Sequence, residues 1–146
     1  MADNYLGRKM EEYFARQNGG TAARRPVVTL GRLLLKNRSH RGYDSGFLVR
    51  EDQLRRIIEV NTRIPSARNQ QVLRFRPVLS DEAPRVLPHI RLGGALPELH
   101  LPLPGTEPNA FIICCSTQAE SRYVDIDLGI SAQSMLLQAV ELGDRK

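Results

Sequence analysis

Strand-forming sequence occurs in two places, at 72–79 and 109–116, and that scarcity limits the folds open to a chain of 146 residues. In the first stretch Leu73 and Phe75 alternate with Arg74 and Arg76, the period-two pattern of a strand with one apolar and one wet face. In the second, "NAFIICCS" is a continuous apolar run, which suits a strand buried on both faces. Two strands make a marginal sheet, since a strand wants neighbours on both sides unless it is an edge. The inventory therefore reads as that of a chain that is incomplete, or that completes itself against a partner.

Helical periodicity fills much of the remainder. Leu6, Met10, Tyr13 and Phe14 place a helix over 4–17, and "NGGTAARRP" breaks it. Residues 1–28 are thus an N-terminal helix and linker, followed by a domain over 29–146. Thr29 is the expected N-cap of a short helix that runs to Lys36 through Leu30, Leu33 and Leu34. The polar loop "NRSHRGYDSGF" follows. Asp52 is the expected cap of the next helix, whose stripe is Leu54, Ile57, Ile58 and Val60. That helix should end near Arg63, because Pro65 disfavours helical geometry at Ile64. From Leu87 to Pro108, five prolines and the Gly93–Gly94 pair predict a long surface loop, with a short extended piece at "ELHLPL". The spacing of Ile126, Ile130, Met135, Leu136, Ala139, Val140 and Leu142 predicts a long helix over 123–142 with a broad apolar surface. Gly129, Ser131 and Ala132 on it would allow two such helices to pack closely across a two-fold axis.

Composition narrows the class. Hydrophobic content of 41% and charged content of 25% are those of an ordinary globular protein. No apolar run reaches the 18 residues of a membrane span, and the N-terminus, with Asp3, Glu11 and Glu12 and no long apolar core, is not a secretory signal. The two adjacent cysteines, Cys114 and Cys115, point to opposite faces of a strand and are poorly placed to bond each other. They read as small buried hydrophobes in a reducing cytoplasm, and no metal site is expected around them. Charge is unevenly spread: residues 1–76 carry +9 and residues 77–146 carry −4. A basic half suits an anionic partner, either nucleic acid or a phosphate-bearing cofactor. Aromatic content is only 5%, and no zinc-finger, aromatic RNA-binding or basic-zipper pattern occurs. His40, His89 and His100 are scattered in loops and receive no role.

Three motifs fall in order. "RSHRGYD" at 38–44 is followed by "PSARNQQ" at 65–71 and by "YVDIDLGISAQSMLLQAVELG" at 123–143. In this order and spacing the chain resembles the nitroreductase family of flavin enzymes over most of residues 30–143. The resemblance implies an α+β, three-layer α/β/α fold with a long central helix, built as a homodimer with flavin mononucleotide (FMN) at the interface. Arg38, Ser39 and Arg41 would then hold the phosphate, the ribityl chain and the flavin edge. Pro65, Ser66, Asn69 and Gln71 would line the ring or ribityl chain from the other subunit. Asn37 and Val72–Leu73 stand where the family has an arginine and a Pro-Trp pair. The family's later strands and its late basic pair have no counterpart, so the domain over 29–146 reads as C-terminally incomplete.

The implied activity is hydride transfer from NAD(P)H to flavin N5 and on to a nitroaromatic or quinone-like small-molecule acceptor. No side chain need act as a nucleophile. The chemistry of the residues agrees, because a phosphate takes arginine forks and a hydroxyl donor, and a flavin edge takes amides. Neither a nucleic-acid nor a membrane partner is expected of such an enzyme. Two alternatives stay open: a non-catalytic, truncated flavin-binding protein, and a basic nucleic-acid-associated protein.

Overall fold

The computed structural model describes residues 9–10, 28–90 and 100–143. Of the helix expected over 4–17, only Lys9 and Met10 lie within the described residues, and both are helical. Helix α1 spans Leu30–Lys36. Thr29 caps it as expected, its hydroxyl accepting from the Arg32 amide at 3.4 Å. No residue of α1 is buried, and Leu30, Leu34 and Leu35 all stand exposed.

Helix α2, Glu51–Glu59, begins two residues earlier than its sequence suggests. Its N-cap is Arg50, not Asp52. An arginine side chain cannot accept a hydrogen bond, so the helix start is closed from the other side: Gln53 Oε1 accepts from the Arg50 amide at 2.9 Å. Asp52 lies in the first turn, where a carboxylate favours the helix dipole. There it takes Arg50 Nε at 2.8 Å, and this pairing holds its carboxyl below the usual range. The helix tightens into a 3₁₀ turn, Val60–Thr62, ahead of Pro65 as anticipated.

Strands β1 (Leu73–Val78) and β2 (Phe111–Ser116) form an antiparallel pair. Leu73 faces Ser116, Phe75 faces Cys114 and Val78 faces Phe111. The fold is therefore mixed α+β. Helices α2 and α4 (Arg122–Gly143) both pack on β1, while the main neighbour of β2 is β1. That asymmetry corrects one expectation. The run at 109–116 was to be buried on both faces, yet no residue of β2 is buried and both Cys115 and Ser116 are exposed. Cys114 is half-buried and Cys115 is exposed, so the pair is not the two buried hydrophobes expected from composition.

A short helix, α3 (Ala83–Val86), runs on into a 3₁₀ turn, Leu87–His89. Pro84 sits in its first turn, where a missing amide does no harm. The sequence pattern predicts no element at Ala83–Val86 and a loop at Leu87–His89, where the structure has this helix and turn. Residues 91–99 of the expected loop lie outside the described residues, and Leu101 makes an isolated β-bridge.

The core consists of Leu54, Val72, Val78, Ala83, Val124 and Met135. Helix α4 contributes a narrow stripe, Val124, Asp127, Ser131 and Met135, at spacings of three, four and four. Of the apolar face expected of this helix, Met135 is buried and Ile130, Ala139, Val140 and Leu142 are half-buried, while Ile126 and Leu136 are exposed and two polar residues are buried beside them.

Candidate functional site

The segment from Pro65 to Gln71 leaves α2 and enters β1 through an unusual backbone. Ser66 is extended, a 3₁₀ turn spans Ala67–Asn69, and Arg68, Asn69 and Gln71 have φ of 54°, 54° and 49°. Left-handed backbone is tolerable for asparagine but strained for arginine and glutamine. Such strain persists only where surrounding contacts over-determine it. Here the contacts are specific. Ser66 Oγ accepts from the Gln71 amide at 3.3 Å, and the Gln71 carbonyl accepts from Arg74 Nη1 at 2.9 Å. The Arg68 guanidinium lies 4.6 Å from the Tyr123 ring centroid, on α4. Asp127 Oδ1, also on α4, accepts from the Ala67 amide at 2.5 Å.

Side chains within the loop are ordered by one another. Gln71 Nε2 donates to Asn69 Oδ1 at 2.9 Å, which leaves Asn69 Nδ2 as a donor and Gln71 Oε1 as an acceptor beside it. Asn69 and Gln71 are exposed, as is Pro65, while Ser66 is half-buried.

Beneath this loop lies a cavity of about 490 Å³. Its lining is mixed, with apolar Ile64, Val72 and Phe75 and polar Asn61, Ser66 and Asp127 among its residues. Two of these residues each carry a side-chain oxygen buried without a protein partner, Asp127 Oδ2 and Asn61 Oδ1. Asp127 is 3% exposed, so its carboxylate rests on the single Ala67 amide. A carboxylate can accept about four hydrogen bonds, and burying one with a single donor is costly. Sequence reasoning gave neither residue a role. Asp127 did carry a signal, since an acid sits within the core stripe between Val124 and Ser131. Asn61 carried none, because its burial depends on the 3₁₀ turn.

Arg38, Ser39 and Arg41 lie elsewhere on the surface, all exposed. Their loop is held to the segment after Leu101: the Tyr43 amide donates to Thr106 O at 3.0 Å, and Asn109 Nδ2 donates to Phe47 O at 2.8 Å. Asp44 closes the turn by accepting from the Gly46 amide at 2.9 Å. The cavity wall contains Pro65, Ser66 and Gln71 but neither Asn69 nor any of these three residues, so this cavity does not gather the two groups. Among the described residues no three His, Cys, Asp or Glu side chains come together as a metal set, and no helix is long and apolar enough to cross a membrane. Compared with models of known families the chain matches none, and no curated protein matches it.

Proposed function

We propose that the chain is an FMN-dependent oxidoreductase that passes electrons from NAD(P)H to a nitroaromatic or quinone-like acceptor, in the cytoplasm. The observation that carries this reading is the strained 65–71 loop, because strained backbone held by specific contacts is characteristic of ligand clamps. The residues present fit the cofactor at its pyrimidine edge. That edge alternates acceptors and a donor, and Asn69 Nδ2 beside Gln71 Oε1 offers the complementary pair.

A bound FMN would supply the two-electron chemistry. The chain's part is to bind and orient it. Asn69 and Gln71 meet the ring edge, Pro65 packs against the ring, and Ser66 holds the loop in shape. Arg38, Arg41 and the Ser39 hydroxyl donate to the phosphate and ribityl chain. In this reading two copies complete a three-layer α/β/α arrangement, so that Arg38, Ser39 and Arg41 of one copy meet the 65–71 segment of the other. The separation of the two groups within one chain is consistent with that dimer. It is equally consistent with a second reading, a flavin-binding protein without catalysis. No observation favours the nucleic-acid alternative beyond charge.

Titration with FMN tests the proposal. Binding should quench flavin fluorescence and raise the melting temperature, and NADH oxidation with a nitroaromatic acceptor should follow. Binding without oxidation selects the non-catalytic reading. If saturating FMN neither binds nor stabilises the chain, both flavin readings fail.

A further inference from the structure

Helix α4 grips the 65–71 loop at two points with one face. Tyr123 and Asp127 stand four residues apart, about one helical turn, so they share a face. They take adjacent loop residues. The Arg68 guanidinium lies over the Tyr123 ring at 4.6 Å, and Asp127 Oδ1 accepts from the Ala67 amide at 2.5 Å. The left-handed residues Arg68, Asn69 and Gln71 begin at this grip. The side chains of Asn69 and Gln71, joined to each other at 2.9 Å, are what the loop presents to solvent. Asp127 is 3% exposed, and a buried carboxylate held by one donor costs stability that an apolar residue would not. What the acid supplies is a fixed acceptor for one loop amide, and through it a shape.

We propose that Tyr123 and Asp127 are positioning residues, a two-point clamp that holds loop 65–71 in the left-handed turn presenting Asn69 and Gln71, without touching what binds there. The ligand is the flavin already proposed, and only the affinity readout rests on that reading; the shape of the loop is read without it. Releasing the clamp lets Arg68 and Gln71 relax to ordinary backbone. The fraction of chains with a competent loop then falls, and the observed affinity falls with it.

Amide spectra of the ligand-free chain are the first test. Asp127→Ala should shift the Ala67, Asn69 and Gln71 amide resonances. Asp127→Asn keeps an oxygen acceptor and should return them toward their wild-type positions. Val124→Ala truncates the same buried stripe and removes no hydrogen bond to the loop, so it should lower the melting temperature and leave those resonances in place. In FMN titrations, Asp127→Ala should weaken binding at least about tenfold, Asp127→Asn under about threefold, and Val124→Ala not at all. Tyr123→Leu, at an exposed position, should shift the Arg68 amide resonance and weaken FMN about threefold, which gives a reading even if Asp127→Ala folds poorly. A wild-type chain that does not bind FMN removes the flavin reading, while the loop resonances still decide the clamp. The clamp is overturned if the folded variants of Tyr123 and Asp127 leave the loop resonances unmoved, if Asp127→Asn restores nothing, or if Val124→Ala weakens FMN as much as Asp127→Ala does.

Discussion

At the residue scale, Gln71 has φ 49° and a side chain whose one bond is to an exposed neighbour. Glycine enters this region freely, but a β-branched residue does so at a cost. Gln71→Gly is therefore expected to change stability by about 0 to +1 kcal/mol, strain relief offsetting the added freedom of the unfolded chain. Gln71→Val should cost about 1–2 kcal/mol, and denaturant midpoints at constant slope will separate the two. Arg38, exposed in its loop, has the opposite signature. Arg38→Ala should leave the fold within about 0.5 kcal/mol yet weaken FMN by about 1.5–3 kcal/mol, as read by fluorescence titration. Cys114 offers a test by pH. Burial first, and then the neighbouring Cys115, push its thiol above the ordinary value of 9.0. The folded chain thus keeps this proton longer than the unfolded chain does. The resulting stability is present below pH 9.0 and is lost as pH rises through the higher folded value. Melting curves at stepped alkaline pH should show that decline, and Cys114→Ala should lessen it. Exposed Cys115 should be alkylated before Cys114.

At the scale of elements, the periodic patterns located α1, α2, α4 and both strands, since apolar spacing follows directly from backbone geometry. What they misjudged was the neighbourhood of each element. β2 reads as a core strand from composition, but with helices packed on β1 its own residues stay half-covered or exposed. The reverse holds for Val78, at the end of β1, which is 1% exposed because helices and β2 surround that strand. Val78→Ala should therefore cost about 2 kcal/mol, two methyl groups plus a cavity contribution. The same truncation at exposed Leu35 should cost under about 0.5 kcal/mol. Helix α4 was visible from its apolar spacing, yet its buried stripe runs through Asp127 and Ser131. Periodicity ranks residues by hydrophobicity and so passes over a buried acid that a loop amide holds in place.

At the scale of the whole molecule, the described surface carries exposed apolar side chains on α1 (Leu30, Leu34, Leu35) and on α4 (Ile126, Leu128, Leu136). Under the dimer reading these faces meet a second copy. Sedimentation equilibrium should then give twice the chain mass, and Leu136→Glu should shift the protein toward monomer at the same concentration. A wild-type chain that sediments as a monomer at tens of micromolar would rule the dimer out. The candidate site shows the same division between local and long-range causes. Proline, serine and the amides of 65–71 are legible as a polar strand entrance because turn chemistry is a property of residue type. The sequence by itself determined the places of the helices and strands, the basic first half and the two polar loops, since these depend on spacing and composition. Only the tertiary structure decided that Arg68, Asn69 and Gln71 adopt a left-handed backbone, that Asp127 pins this loop from sixty residues away, and that two side-chain oxygens are buried without a partner beside it. Those outcomes rest on which chain segments meet in space, and a contact across that separation has no periodicity along the chain to announce it.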